Sequence, residues 1–140
     1  MPRHAAFLAA LALLLTPLAA AAQTAEQSDG AKQIIQHQLD AFAHDDAAGA
    51  YAFAAPRVKA IFPDANVFMM MVANGYAPVY RHRSAEFGPT KLTDDGIAQA
   101  VTFTDGDGQV WSALYTLEKQ DDGGWAITGC VVAKSAEKSL

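Results

Sequence analysis

Two tight-turn signals constrain this chain more than anything else in it: Asp105-Gly106-Asp107-Gly108 and Asp121-Asp122-Gly123-Gly124. Glycine takes a positive φ without a clash, and aspartate bonds the backbone of its own turn, so hairpins select such runs. Between them lies Val110 to Glu118, where Trp111, Ala113, Tyr115 and Leu117 alternate with Ser112, Leu114 and Thr116. Ile97 to Thr104 ("IAQAVTFT") precedes the first turn, and Trp125 to Ala133 follows the second. Strands joined by turns this short run antiparallel. Val79 to Phe87 reads as a further strand ahead of them. Side chains on a strand alternate between faces. The set from Trp111 to Leu117 is bulky and uncharged, so it is predicted to face inward, with Leu114 an exposed apolar exception. On the last strand Trp125, Ile127 and Val131 are predicted inward, against Ala126, Thr128, Cys130 and Val132.

Ahead of the turns the period is helical. From Gly30, the residues Ala31, Ile35, Leu39 and Phe42 recur at spacings of four, four and three, one face of a helix. Ser28 or Asp29 can cap it by accepting an orphan N–H of the first turn. A second helix is predicted over 46–54. Pro56 suits the first position of a third, 56–61, because proline has no N–H to leave unpaired there. Asp64 caps a fourth, holding Val67, Phe68, Met71 and Val72, and Asn74-Gly75 supplies a left-handed stop. Helices followed by an antiparallel sheet make an α+β domain with the helices on one sheet face. A curved sheet closed by the first helix would form a cone with a cavity.

The N-terminus reads as an export leader. Arg3 gives a basic start, Ala5 to Leu15 an apolar run, and Ala20-Ala21-Ala22 a small-residue cleavage site before Gln23. The run is too short for a spanning helix of about 20 residues. Residues 1–22 are predicted to be removed, leaving a tail over 23–30, one domain over 31–134 and a second tail over 135–140. The expected location is periplasmic or secreted. Cys130, the only cysteine, cannot form an internal disulfide and is expected to be buried.

Charge narrows the partners. The chain carries a formal net charge of −5, and removing Arg3 with the leader makes it −6. No basic stripe suits nucleic acid, and anionic membrane is disfavoured for the same reason.

"HQLDAFAHDD", residues 37–46, offers His37, Asp40 and His44 as ligands or acid–base groups. Advancing 100° per residue from Ile35 puts these three at about 200°, 140° and 180°, opposite the apolar stripe. They are predicted to be a solvated face. The aspartates of Asp105 to Gly108 lack the further ligands of a calcium loop, so turn chemistry is expected. Met69, Met70 and Met71 fan out over about 200° on a helix and cannot converge on one ion. No Gly-rich phosphate loop and no Ser-His-Asp order stands out. No metal and no cofactor is expected. Arg81 and Arg83 share one side of the predicted strand and could hold a carboxylate or phosphate if it faces the cavity. Tyr76, Tyr80, Trp111 and Tyr115 complete the predicted ligand-binding set. No catalytic residue is assigned.

Four stretches together, "QLDAFAHDDAAGAYAFAAP", "MVANGYAPVYRHRSAEFG", "DGDGQVWSALYTLE" and "GGWAITGCVV", resemble an exported bacterial family, domain of unknown function 4864, over roughly residues 32–133. That family is similar to the cone-shaped nuclear-transport-factor-2-like (NTF2-like, SnoaL-like) superfamily. The resemblance implies an NTF2-like cone and no particular activity, since such folds host isomerases, dehydratases and binding modules. The leading expectation is non-catalytic binding of a small apolar or amphiphilic ligand or of a protein partner. An isomerase or dehydratase using Tyr80, His82 or an unassigned acid in the cavity is the alternative, and a structural homodimer module the second. An acid or histidine at the cavity floor would favour the enzyme. A filled cavity would favour the dimer.

Overall fold

Four strands form one open antiparallel sheet in the order β1 (Ser84–Leu92), β2 (Gly96–Thr104), β3 (Gln109–Lys119) and β4 (Trp125–Lys138). This is a computed structural model, and it describes residues 16–138. The two predicted turns join β2 to β3 and β3 to β4, with Gly108 at φ 80° and Gly123 at φ 85°. Five helices precede the sheet: α1 (Thr16–Ala43), α2 (Ala47–Ala52), α3 (Pro56–Ile61), α4 (Ala65–Gly75) and α5 (Ala77–Tyr80). The chain is α+β, with helices packed on the sheet.

Local chemistry sets most helix starts. The Asp46 carboxylate caps α2 through Gly49 N at 2.9 Å. Asp64 caps α4 through Asn66 N and Val67 N at 2.7 and 3.2 Å. Pro56 opens α3.

Three local expectations ahead of the sheet are corrected. First, α1 begins at Thr16, well before Gly30, and takes in residues 23–30. The alanine-rich stretch from Ala19 onward carries the helix, alanine being the best helix former. Ser28 caps nothing; it is buried and its hydroxyl is 2.7 Å from Thr90 Oγ1. Gly30 lets the helix close on β4, since a Cβ there would stand 3.1 Å from Trp125 Nε1. Second, Gly75 makes no left-handed stop. Tyr76 ends α4 at φ −133°, and Pro78 starts a further helical turn at once. Third, Val79 to Arg83 is therefore not a strand. Val79 and Tyr80 close α5, and Arg83 N donates to Thr104 O at 2.8 Å just before β1 begins. At the far end, β4 continues through residues 135–138, so the expected second tail is strand up to Lys138. Of the predicted leader, residues 1–15 lie outside the described residues. Among the described residues no helix is long and apolar enough to cross a membrane.

The inner face of β3 is the predicted one. Ala113, Tyr115 and Leu117 are buried and Trp111 is half-buried, while Leu114 is 45% exposed on the other side. They pack in one core with Ile35, Leu39 and Phe42 of α1 and with Ile97, Val101 and Phe103 of β2.

β4 departs from simple alternation. Thr116 pairs with Gly129 but Leu117 pairs with Ile127, so Thr128 is an extra residue. Such a bulge exchanges the faces of everything beyond it. Ile127 is buried and Trp125 packs on the core, as predicted. Past the bulge Cys130 and Val132 pack inward, and Val131 is 71% exposed, which reverses the prediction for these three.

A buried polar chain secures β1. Its register with β2 shifts between Phe87 and Thr90. Gln99, fully buried, donates through Nε2 to Gly88 O and Ala100 O at 2.9 Å each, and its Oε1 accepts from Thr90 Oγ1. Ser28 extends that chain to α1.

Candidate functional site

The link between α2 and α3 creates the site. Ala54 bridges Ile127 in parallel. Ile127 N donates to Phe53 O, and Ala55 N donates to Ile127 O, each at 2.8 Å. This pairing occupies the otherwise free edge of β4. It also holds α3 beside β4 with a space between them. The space is a cavity of about 320 Å³.

Its walls come from every layer. Val58, Ile61 and Phe62 line it from α3 and the turn after it, and Phe68, Met71 and Val72 from α4. Gln38 and Phe42 close it on the α1 side, and Tyr76 and Val79 at the α4–α5 junction. Tyr115 and the β4 segment from Ile127 to Val131 supply the sheet side. Ile61 is 70% exposed and marks the mouth. The α3 wall is braced from behind: Tyr51 OH donates to Phe62 O at 2.5 Å, and the rings of Tyr51 and Phe62 both pack against Phe68.

Polar groups in the lining are few and uncharged. Gln38 is 3% exposed and donates through Nε2 to Ala50 O at 3.1 Å. Tyr115 and Cys130 face each other across the β3–β4 ladder. Burial pushes the Cys130 thiol up to about 12, the neighbouring Tyr115 hydroxyl opposing it only in part. Burial, then the Cys130 and Tyr76 neighbours, also raises the Tyr115 phenol well above its ordinary value. Neither group ionises near neutral pH. Among the described residues no aspartate, glutamate, histidine, lysine or arginine lines the cavity.

The predicted ligand-binding residues fall in three places. Tyr76 and Tyr115 line the cavity. Tyr80 and Arg81 lie outside the lining, on Asp45. The Tyr80 hydroxyl donates to Asp45 Oδ1, as does Arg81 Nη2 at 2.6 Å. The Arg81 guanidinium also lies 4.2 Å over the Tyr80 ring. These two hydrogen bonds, Tyr80's first, hold the Asp45 carboxyl below its ordinary range. Trp111 donates its indole N–H to Asp105 Oδ2 at 2.9 Å, and Arg83 lends that carboxylate electrostatic support. His82 also stays out of the lining, with Nδ1 2.8 Å from Val79 O and its ring near Phe103. Arg81 and Arg83 thus sit apart from the cavity because the segment carrying them is a helix end and a bend.

The other tempting residues settle as follows. His37, Asp40 and His44 are exposed, as predicted. His37 stacks on Phe53 at 5.7 Å, and His44 Nδ1 donates to Asp40 O at 2.7 Å. Asp105 serves its turn, with Oδ1 accepting from Asp107 N and Gln109 N. Met69 is buried, Met70 is exposed and Met71 lines the cavity, so the three diverge. Among the described residues no group of three or more His, Cys, Asp or Glu is placed to hold a metal.

Gln38 and Cys130 belong to the site and were absent from the predicted set. Gln38 was accessible to reasoning, since it falls about 60° from Ile35 on the helical wheel, at the stripe's border. Cys130 was not, because its direction depends on the bulge at Thr128.

No curated protein and no solved structure matches the chain. The family model described as Domain of unknown function (DUF4864) matches residues 24–140. That span takes in all the cavity walls and the whole sheet, and the chain belongs to this family.

Proposed function

We propose that this domain binds a small apolar or amphiphilic molecule in the cavity between α1, α3, α4 and β4, without catalysing a reaction on it. One observation carries the reading: a cavity of about 320 Å³ is left open in the core, and among the described residues no carboxylate, histidine, lysine or arginine lines it. A cavity this size, mostly apolar with a few polar groups, has the ordinary character of a small-molecule site. The rival isomerase or dehydratase needs a proton donor or acceptor working near neutral pH. Cys130 and Tyr115, two titratable groups of the wall, are both pushed away from that range.

The finer architectural reading is an NTF2-like cone, with the cavity as its interior. Helices on one sheet face and bulges in β1 and β4 support it, since bulges bend strands. Export with removal of residues 1–22 is proposed on the leader pattern, and the family match begins at residue 24. A second reading, a homodimer through the outer sheet face, rests on Leu114 and Val131, exposed and paired across β3 and β4. Sedimentation at two concentrations distinguishes monomer from dimer.

The test is a calorimetric titration of the purified protein with 1-naphthol, beside a Val58→Trp variant whose indole would fill the cavity. Binding is expected in the parent protein and lost in the folded variant. Absence of binding, or equal binding to both, overturns the proposal.

A further inference from the structure

We infer that the cavity selects an uncharged ligand of about a dozen non-hydrogen atoms and rejects fatty acids, amines and phosphates of the same size. This rests on the cavity being a binding site, and it names the class of molecule that fits.

Size comes from volume. An apolar protein cavity of about 150 Å³ holds one benzene. The present cavity, at about 320 Å³, is roughly twice that, which corresponds to about 13 non-hydrogen atoms.

Charge selection comes from the walls. An ion entering a low-dielectric site loses its hydration and needs a partner to replace it. Among the described residues the lining offers no side chain that is charged at neutral pH. The two cations of α3 are engaged elsewhere: Arg57 with Glu118, and Lys59 over the Tyr51 ring at 5.2 Å. Arg81 is held by Asp45. What the lining does offer is neutral: Gln38, with its carboxamide, and the tyrosines Tyr76 and Tyr115. The wall also shows how it treats charge, because burial drives the Cys130 thiol strongly towards its neutral form. A ligand carboxylate placed there would face the same desolvation.

The experiment compares four probes built on one ten-carbon chain by calorimetry at pH 7: decan-1-ol, methyl decanoate, decanoate and decylammonium. The first two are expected to bind at least about tenfold more tightly than the last two, a difference of about 1.4 kcal/mol. The Val58→Trp variant, checked for its fold by circular dichroism, should lose the first two. If decanoate or decylammonium binds as tightly as decan-1-ol, charge selection is overturned while the cavity remains a binding site. If none of the four binds, the binding-site reading falls too.

Discussion

Tyr115 and Cys130 stand opposite each other on β3 and β4, with Tyr115 1% exposed. Neither would meet the other without the extra residue at Thr128, which turns Cys130 inward. The pair joins the core to the cavity wall. Tyr115→Ala removes a fully buried aromatic and is expected to cost about 3–5 kcal/mol. Tyr115→Phe, which loses only the hydroxyl, should cost about 1 kcal/mol. Urea melts of both variants check this, and a parent-like Tyr115→Ala would contradict the inner-face assignment.

Cys130 gives a pH prediction. Its thiol is raised from 9.0 to about 12 in the fold. Above pH 9 the unfolded chain releases this proton and the folded chain keeps it, so stability falls as pH rises. The contribution is complete below pH 9 and is lost progressively up to about 12. Melting temperatures from pH 8 to 10.5 should fall more steeply for the parent than for Cys130→Ala. The thiol should also react with a disulfide reagent far more slowly in the folded protein than in denaturant.

Asp45 gives one of the opposite sign. Its folded value lies below 3.8, held there first by Tyr80 and then by Arg81. This stabilisation is present above pH 3.8 and is lost as pH falls through the folded value. Asp45→Asn should therefore melt lower than the parent at pH 6, and the gap should close on acidification. Asp45 also sits at φ 55°, so Asp45→Gly relieves the backbone while losing the same contacts. A gap that persists unchanged at acid pH would count against the carboxylate as its source.

Gln99 is a buried polar hub with no exposure at all. Gln99→Leu removes the donor that serves Gly88 O and Ala100 O. A buried carbonyl left unpaired costs about 1–3 kcal/mol. Urea denaturation should show a loss of this order, with hydrogen exchange rising in β1. Glu118→Ala, which breaks only the exposed pair with Arg57, should cost less than about 1 kcal/mol.

His37, Asp40 and His44, all exposed, should tolerate joint replacement by alanine. The lost stacking of His37 on Phe53 sets the scale, so the triple variant should lose no more than about 1 kcal/mol. Added zinc should leave the melting temperature of the parent unchanged. Thermal melts with and without zinc decide both points.

Several features were determined by the amino-acid sequence alone. The turns at 105–108 and 121–124, the cap at Asp64 and the start at Pro56 each follow from a few neighbouring residues. The inner face of β3 and the solvated face of α1 follow from period. Tertiary structure decided the rest. Ser28 is drawn onto Thr90 of β1, which overrode a plausible cap. The bulge at Thr128 belongs to the pairing of β3 with β4, and register is a property of two strands together. Gln38 and Gln99 can be buried only because folding brings distant carbonyls to them, Ala50 O for one and Gly88 O for the other. The cavity is the furthest from sequence, because empty space has no residues of its own. It exists because the Ala54 segment pairs with the edge of β4 and holds α3 away from the core.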